Sequence, residues 1–457
     1  MATFFFCGIG GIGMSGIALC LKQAGHTVWG SDRAFDNGQS EQMKTILIQA
    51  GIQLFPQNGS GVTSDIHCFV VSSAVEPSII DVQKALEHKL IILTRAQVLA
   101  YIFAHKKYIA VGGTSGKTTV TAMIGHILSV LNKNPLMING GISINTYNGA
   151  GESNIIYNES EIGVMEADES DGSIELYKPA VSIVNNITQD HKEVVENLPL
   201  FARFIDKATL GGVLNADCPN CELLRLYQKN IKTFSVSGKK ADLSPTNIMC
   251  DANGIRFSLN DKEYTLPFIG LHNLENALAA VCACLYYDIS VEECMQALTS
   301  FKGTKRRLQC IGMASGVSVT DDYAHNPAKI NAALSAVQQH TGNIYVYFQP
   351  HGFGPLKMMQ SELIEMLKKR LDNRTTWLMS EPFYAGGTVN RNISSQTTIE
   401  ALQQADKKAL LMHNREEAIN FLRTNVRSGD HIVIMGARDN SLTTYAEEIL
   451  EVLKEKK

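Results

Sequence analysis

A glycine-rich segment followed by a lysine and two threonines is the strongest chemical signal in this sequence of 457 residues. The segment, residues 112–119, lies between an apolar run that predicts a strand and a second run that predicts a helix. Glycines let backbone N–H groups close on phosphate oxygens, Lys117 adds a full positive charge, and the Thr118 hydroxyl suits Mg²⁺. The strict phosphate-loop pattern needs a glycine where this chain has Val111. We therefore predict a phosphate-binding loop from a near-match; an ordinary glycine-rich turn is the alternative.

Three further polar segments could act beside such a loop. Residues 166–171 contain four carboxylates after a strand-like run, and carboxylate oxygens are the ligands that Mg²⁺ prefers. His191 follows the next apolar run and is either a metal ligand or a capping residue. Residues 302–307 contain four basic side chains that could hold phosphate. For the first and third segments, the alternative is a solvated surface loop.

The chain opens with a second glycine-rich signal. Residues 8–13 form a complete Gly-x-Gly-x-x-Gly between a strand-like and a helix-like run, and Asp32 follows at the spacing of the dinucleotide fingerprint. The pattern predicts a nucleotide or a sugar diphosphate at this helix N-terminus without identifying which. Glycines that serve only tight packing are the alternative.

Composition restricts the compartment and the partners. A net charge of −4 without a long block of like charge gives no indication of nucleic-acid binding. The first residues lack a charged start and no apolar stretch reaches ~18 residues, so we expect no signal peptide, no membrane span and a cytoplasmic protein. Cys218 and Cys221 form a Cys-x-x-Cys pair, but without a second pair we favour buried free thiols over a redox or zinc site.

Alternating strand-like and helix-like runs predict an α/β fold with parallel sheets. We predict three domains: a Rossmann-like N-terminal domain at 1–106, a central P-loop ATPase domain at 107–308 and a Rossmann-like C-terminal domain at 309–457. Residues 139–160 are predicted to be a loop because they are rich in glycine and asparagine. In the last domain, a helix is predicted from Ser361 onward.

In this order the motifs resemble one family, the ATP-dependent Mur ligases of bacterial cell-wall synthesis. The segments that carry the resemblance are 113–119, 166–171, Asp190-His191, 272–276, Arg307 and Asp322, and it extends over essentially the whole chain. The resemblance implies domains that bind UDP-sugar, ATP and amino acid in that order. It also implies a reaction in which a muramic acid carboxylate takes the γ-phosphoryl group of ATP and an amine attacks the acyl phosphate. Such a reaction needs positioning and charge neutralisation.

The resemblance assigns roles to individual residues. Those expected to bind ATP are Gly113, Thr114, Ser115, Gly116, Lys117, Thr118, Thr119, His272, Asn276, Arg307 and Asp322. Those expected to line the UDP-sugar site are Gly8, Gly10, Gly11, Gly13, Ser31, Asp32, Ser73 and Arg95. One Mg²⁺ is expected on Thr118 and Glu166 and a second on His191, and the amino acid is expected near Tyr323, His325 and Lys357. The expected catalytic residues are Lys117, His191, Arg307 and His325.

The chain departs from the alanine-adding members of the family in its last domain. Asn326 replaces a histidine, as Ser115 does in the phosphate loop. Residues 352–357, which in those members carry arginines for the carboxylate of the amino acid, are Gly-Phe-Gly-Pro-Leu-Lys. A lone lysine is not equivalent to an arginine fork. Either Lys357 or Arg438 takes this role, or the acceptor is not free L-alanine.

The resemblance therefore implies a ligase that uses ATP and Mg²⁺ to join an amine, first of all L-alanine, to UDP-N-acetylmuramate, as a monomer or homodimer. A murein tripeptide ligase, which attaches L-alanyl-γ-D-glutamyl-meso-diaminopimelate to the same UDP-sugar in cell-wall recycling, is one alternative, and a paralogue with another acceptor is a second. Two alternatives belong to other classes. A nicotinamide-dependent dehydrogenase would account for residues 8–13 but not for the phosphate loop, and a non-catalytic nucleotide-binding module would account for the altered 352–357 segment.

Overall fold

The computed structural model describes residues 1–72, 75–146, 153–170, 172–188, 194–251, 254–384 and 392–455. The chain divides into two compact units. Unit 1 comprises Met1–Ser244 and Glu275–Phe301, and unit 2 comprises Pro245–Leu274 and Lys302–Lys457. Both units are built on largely parallel sheets that alternate with helices, which confirms the predicted α/β fold class.

The first sheet of unit 1 has five parallel strands in the order β3-β2-β1-β4-β5. The strands are β1 Thr3–Cys7, β2 Thr27–Ser31, β3 Gln53–Phe55, β4 Cys68–Val71 and β5 Ile91–Thr94. The helices are α1 Ile12–Gln23, α2 Arg33–Asp36, α3 Glu41–Gln49, α4 Ile80–Glu87 and α5 Arg95–Phe103. The strand order reverses at β1, and ligands of such sheets bind beyond the strand ends at this switch point. The glycines at 8–13 follow β1 and therefore lie there.

The second sheet of unit 1 has seven strands in the order β12-β11-β10-β6-β9-β7-β8, of which only the β7–β8 pair is antiparallel among the described residues. The strands are β6 Lys107–Gly112, β7 Leu136–Ser143, β8 Ser153–Ile156, β9 Ile162–Glu166, β10 Val181–Val184, β11 Gly211–Asn215 and β12 Ile231–Phe234. The helices that accompany it are α6 Lys117–Val130, α7 Val194–Asp206, α8 Pro219–Glu222, α9 Leu271–Cys284 and α10 Val291–Leu298. The central strands are buried on both faces, which explains their uninterrupted apolar sequences.

The predicted loop at 139–160 is wrong in part, because the end of β7 and all of β8 lie within it. Strand β7 passes through Gly140, where a Cβ atom would lie 2.4 Å from Oε2 of Glu166. The glycine that indicated a loop therefore permits close packing of β7 against the end of β9. Helix α6 begins at Lys117, inside the predicted phosphate loop.

Unit 2 contains a small antiparallel sheet, β13-β14-β15, and a six-stranded sheet in the order β16-β17-β21-β18-β19-β20. Its strands are β13 Thr246–Asp251, β14 Gly254–Leu259, β15 Lys262–Leu266, β16 Gln309–Ala314, β17 Val317–Asp322, β18 Ile344–Gln349, β19 Thr375–Ser380, β20 Ala409–Met412 and β21 His431–Gly436. Its helices are α11 Pro327–Val337, α12 Phe353–Arg370, α13 Gln396–Gln403, α14 Arg415–Asn425 and α15 Ser441–Lys454. Only the β16–β17 pair of the larger sheet is antiparallel among the described strands.

Helix α12 begins at Phe353 and not at the predicted Ser361. Glycine and proline, which stand at 354 and 355, are the two weakest helix formers and hide the start of α12 in the sequence. Pro355 lies in the first turn, where a missing N–H breaks no intrahelical hydrogen bond, so the helix tolerates it. In the described part of the chain, no helix has both the length and the apolar character needed to cross a membrane.

Candidate nucleotide and acceptor sites

The loop between β6 and α6 owes its shape to two glycines. Gly113 and Gly116 have φ angles of 121° and 87°, which side chains with a Cβ rarely adopt. A Cβ on Gly116 would lie 2.3 Å from Nδ2 of Asn185, so the loop has no room for one. Val111, where the strict motif has glycine, is fully buried in β6. The near-match at 111 therefore leaves the loop geometry intact.

Two asparagines at the end of the neighbouring strand β10 hold this loop. The Asn186 side chain accepts hydrogen bonds from Ser115 N and Thr114 Oγ1, both at 2.8 Å, and donates to Ser115 O at 3.1 Å. Asn185 Nδ2 donates to Ser115 O at 3.1 Å and to Asn276 Oδ1 at 3.0 Å. We call Asn185, Asn186 and Asn276 the asparagine clamp. Asn276 is one of the residues expected at ATP, whereas Asn185 and Asn186 are not among the predicted site residues, although they follow a strand beside β6.

Lys117 is enclosed by the loop that it follows. Its Nζ donates to Gly113 O at 2.8 Å and to Glu169 Oε2 at 2.9 Å, and both side chains of this ion pair are at least 86% buried. Burial alone lowers the pKa of Lys117, but Glu169, Glu166 and Asp168 raise it overall. Burial raises the pKa of Glu169 in spite of the lysine. The ammonium group therefore stays charged inside the loop. Glu169 belongs to the segment 166–171 predicted to bind Mg²⁺, but its ion pair with Lys117 was not predicted.

Thr118 and Glu166 form an oxygen-rich pair beside the lysine. Thr118 Oγ1 donates to Glu166 Oε2 at 3.0 Å, and the same oxygen accepts from Gly140 N at 2.9 Å. Hydroxyl and carboxylate oxygens fit Mg²⁺ better than a softer metal. Among the described residues, no three His, Cys, Asp or Glu side chains converge on a common point. His191, the expected ligand of a second Mg²⁺, lies outside the described residues, as do Asp190 and Asp171.

The glycine loop after β1 is held by Asp32 and Ser31. Asp32 accepts from Gly10 N at 2.7 Å and caps α2 by accepting from Ala34 N at 2.9 Å. Ser31 O accepts from Gly8 N at 2.8 Å. Both carboxylate oxygens of Asp32 thus accept hydrogen bonds from the local backbone, whereas in a dinucleotide site this acid binds a ribose hydroxyl. This weakens the dehydrogenase alternative.

Arg95 links the first sheet to the phosphate-loop region within unit 1. Its Nη1 lies 3.4 Å from the position of a Cβ on Gly13. Arg95 also helps to lower the pKa of Asp168. Burial raises the pKa of this carboxyl, but the charge of Lys117, hydrogen bonds from Ser170 and the charge of Arg95 lower it overall. The fold therefore brings together two sets of residues that the sequence analysis assigned to different ligands. Ser73, also expected at the UDP-sugar, lies outside the described residues.

In unit 2, Asp322 at the end of β17 holds its own backbone. Its two carboxylate oxygens accept from Leu308 N and Ala324 N, both at 2.7 Å. Burial raises the pKa of Asp322 to about 6, although Arg307 opposes this. The Arg307 guanidinium lies 5.3 Å from the centre of the Tyr323 ring. His272, also in unit 2, lies against Gly270, and burial lowers its pKa to about 4.

Two imidazoles meet after β17 and β18. His325 and His351 are in edge contact with ring centres 4.8 Å apart, and His325 Nδ1 lies 2.9 Å from Tyr323 O. Asn326, which replaces a histidine of the alanine-adding pattern, caps α11 by accepting from Lys329 N at 2.9 Å. Lys357 is exposed on α12. The structure thus brings His351 to the predicted acceptor residues, while Asn326 has a structural role.

These features define the class of α/β nucleotide-dependent enzymes. They are a phosphate-type loop that encloses a lysine, a carboxylate hydrogen-bonded to the threonine after that lysine, and a Rossmann-like sheet in the same unit. Within this class the chain belongs to the Mur ligase family. The profile of the family's catalytic domain matches residues 3–107, that of the Mur ligase middle domain matches 111–284, and that of the glutamate ligase domain matches 306–438. The protein is therefore an ATP-dependent amide-bond-forming ligase, as predicted.

Individual relatives agree with this family. The chain is 32% identical to the UDP-N-acetylmuramate–L-alanine ligase of Agrobacterium fabrum, over 98% of this chain and 96% of the relative. The fold resembles a UDP-N-acetylmuramate–alanine ligase of Thermotoga maritima, with a TM-score of 0.81, 23% identity and complete coverage of both chains. It also resembles a murein peptide ligase of Psychrobacter arcticus, with a TM-score of 0.68, 23% identity and 99% coverage of both chains.

Proposed function

We propose that this protein joins L-alanine to the muramic acid carboxylate of UDP-N-acetylmuramate in peptidoglycan synthesis, through an acyl phosphate and in the cytoplasm. The observation that carries the proposal is the Lys117 ammonium, enclosed between Gly113 O and Glu169 beside the Thr118–Glu166 pair. The similarity to alanine ligases at about one third identity over nearly the whole chain supports the substrates. The regions 1–106, 107–308 and 309–457 would bind UDP-sugar, ATP and acceptor.

The chain's own residues supply positioning and charge. Backbone N–H groups of the loop and Lys117 would hold the β- and γ-phosphates, with the nucleotide taking the place of Glu169 as partner of the ammonium. Thr118 and Glu166 would hold one Mg²⁺ and His191 a second, and these ions neutralise phosphate charge when bound. Arg95, beside Gly13, would face the diphosphate of the sugar nucleotide. Arg307 would bind phosphate.

The acceptor is proposed as an amino acid and not as the murein tripeptide. The relatives that match at 29–32% identity are alanine ligases. His325 and His351 would lie near the incoming amine and could assist its deprotonation.

The direct test is ADP release by the purified protein with ATP, Mg²⁺, UDP-N-acetylmuramate and a panel of L-amino acids plus L-alanyl-γ-D-glutamyl-meso-diaminopimelate. We expect release that depends on both the UDP-sugar and L-alanine, with the amide product detected by mass spectrometry. Activity with the tripeptide alone would support the recycling enzyme instead. The absence of ADP release with every acceptor, or saturable binding of NADH, would contradict the proposal.

A further inference from the structure

Three neighbouring strands of unit 2 end at one edge of the six-stranded sheet. Strand β21 lies between β17 and β18, and its register pairs Asp322 with Met435 and Gln349 with Gly436. All three strands are parallel, so the segments that follow them emerge at the same edge, where open α/β sheets bind ligands. The segment after β17 carries Tyr323 and His325, and the segment after β18 carries His351. The segment after β21 contributes Arg438.

Arg438 lies beside the place where the expected cation is missing. Its Nη1 is 3.7 Å from the position of a Cβ on Gly352. Gly352 immediately precedes α12 and is the first residue of the segment that lacks arginine. The guanidinium thus occupies the space next to position 352, although it comes from a different strand.

Two of the other arginines at this edge have internal partners, and the third, Arg307, lies over the Tyr323 ring and is proposed above to bind phosphate. Arg306 Nε lies 3.3 Å from Asp321 Oδ2, and Arg306 Nη2 donates to Gly436 O at 2.7 Å. Arg415 Nη2 lies 2.7 Å from Asp439 Oδ2. Arg438 is exposed and forms no ion pair with any residue in the described ranges. Its N–H donors therefore face solvent at the predicted acceptor site.

We propose that Arg438 determines acceptor specificity by binding the α-carboxylate of the incoming amino acid, an inference that rests on the proposed function. The planar guanidinium can donate two parallel N–H bonds to a carboxylate, which an ammonium group such as that of Lys357 cannot do. Arg438 thus supplies, from another strand, the carboxylate-binding arginine that residues 352–357 lack. The acceptor class is accordingly a free α-amino acid, and a peptide or amide without this carboxylate is a poor acceptor.

The test compares L-alanine with L-alaninamide, which keeps the amine and lacks the carboxylate, in the full-length protein. The substitution Arg438→Met should lower kcat/KM for L-alanine about 10- to 100-fold, as expected for a lost charge-assisted hydrogen bond, and change kcat/KM for L-alaninamide less than about 3-fold. Arg438→Lys should restore part of the loss. Arg423→Met, which removes an exposed arginine of α14, is the matched control and should behave as the unaltered protein.

The outcomes separate the two proposals. An unaltered protein that uses L-alaninamide as well as L-alanine would overturn the role of Arg438, as would equal losses for both acceptors in Arg438→Met. The same holds if Lys357→Met, and not Arg438→Met, abolishes the discrimination. An unaltered protein without any ADP release that depends on UDP-N-acetylmuramate would instead contradict the proposed function itself.

Discussion

The phosphate loop of unit 1 and the acceptor edge of unit 2 are built in opposite ways. In the loop, Lys117 and the asparagine clamp form hydrogen bonds with their neighbours, so the geometry is complete without a ligand. At the acceptor edge, ring contacts predominate and Arg438 projects its charge into solvent. The difference indicates that the nucleotide end is organised in advance, whereas the acceptor end keeps its donors for the substrate.

The largest effect is expected from Lys117→Ala, which removes the charge enclosed in the loop and tests whether this region is organised for phosphate. We expect ADP release that depends on the UDP-sugar to fall about 10³-fold, because preorganised charge at a phosphate contributes on this order to catalysis. Binding of UDP-N-acetylmuramate, measured by calorimetry, should be nearly unchanged, since its predicted residues belong to the first sheet. Lys84→Ala, in an exposed ion pair, is the control. Retained ligase activity in Lys117→Ala would rule out the assignment of the loop.

A smaller effect is expected from Asn186→Ala, which loosens the loop without touching its charge. Three hydrogen bonds to Thr114 and Ser115 are lost. We expect KM for ATP to rise about 10-fold to 100-fold with a smaller change in kcat, since each net hydrogen bond contributes about 1 kcal/mol. Asn373→Ala, an exposed asparagine of unit 2, should leave both constants unchanged. An unaltered KM in Asn186→Ala would show that the loop does not need its clamp.

These two regions also differ in how far the sequence predicts them. The phosphate loop is contiguous and works mainly through its backbone, so glycine spacing and the lysine were enough to identify it. The contacts of Glu169 and Asn186 with the loop could have been found only by pairing β6 with β9 and β10, because both residues reach the loop from neighbouring strands. The acceptor edge combines the ends of three strands that are far apart in sequence, and the contact of Arg438 with position 352 has no local signal.

Unit 2 contains a second pair of imidazoles, at the other end of the same sheet from His325 and His351, which shows how a purely structural pair differs from one at the acceptor edge. His431 begins β21 and stacks on His340 with ring centres 4.1 Å apart. Burial, with a contribution from His340, lowers the pKa of His431 from 6.5 to about 3. The Nε2 atoms of both rings are buried without a hydrogen-bond partner among the described residues. This pair is therefore structural, unlike the partly exposed pair of His325 and His351.

We expect this buried pair to make the protein sensitive to acid. Between pH 6.5 and pH 3 the His431 imidazole is protonated in the unfolded chain but neutral in the folded protein. The free energy of unfolding is therefore highest above pH 6.5 and falls as the pH decreases. The loss should approach roughly 2 kcal/mol at pH 5. The variant His431→Gln should show a smaller decrease in melting temperature between pH 7.5 and pH 5, whereas His413→Gln, at an exposed site, should not. Equal pH dependence in all three proteins would contradict this explanation.

The smallest effect tests whether Asn326 belongs to the acceptor chemistry or only to the fold. Its side chain caps α11 through Lys329 N, and loss of such a cap costs about 1 kcal/mol. We expect Asn326→Ala to lower the melting temperature by about 2–4 °C, and Asn326→Asp to restore it, because aspartate accepts the same hydrogen bond. At a temperature where every variant is folded, kcat/KM for L-alanine should stay within about 2-fold, in contrast with Arg438→Met. A large loss of activity in Asn326→Ala without loss of stability would place Asn326 at the acceptor. The start of α11 would then belong to the residues that face the substrate.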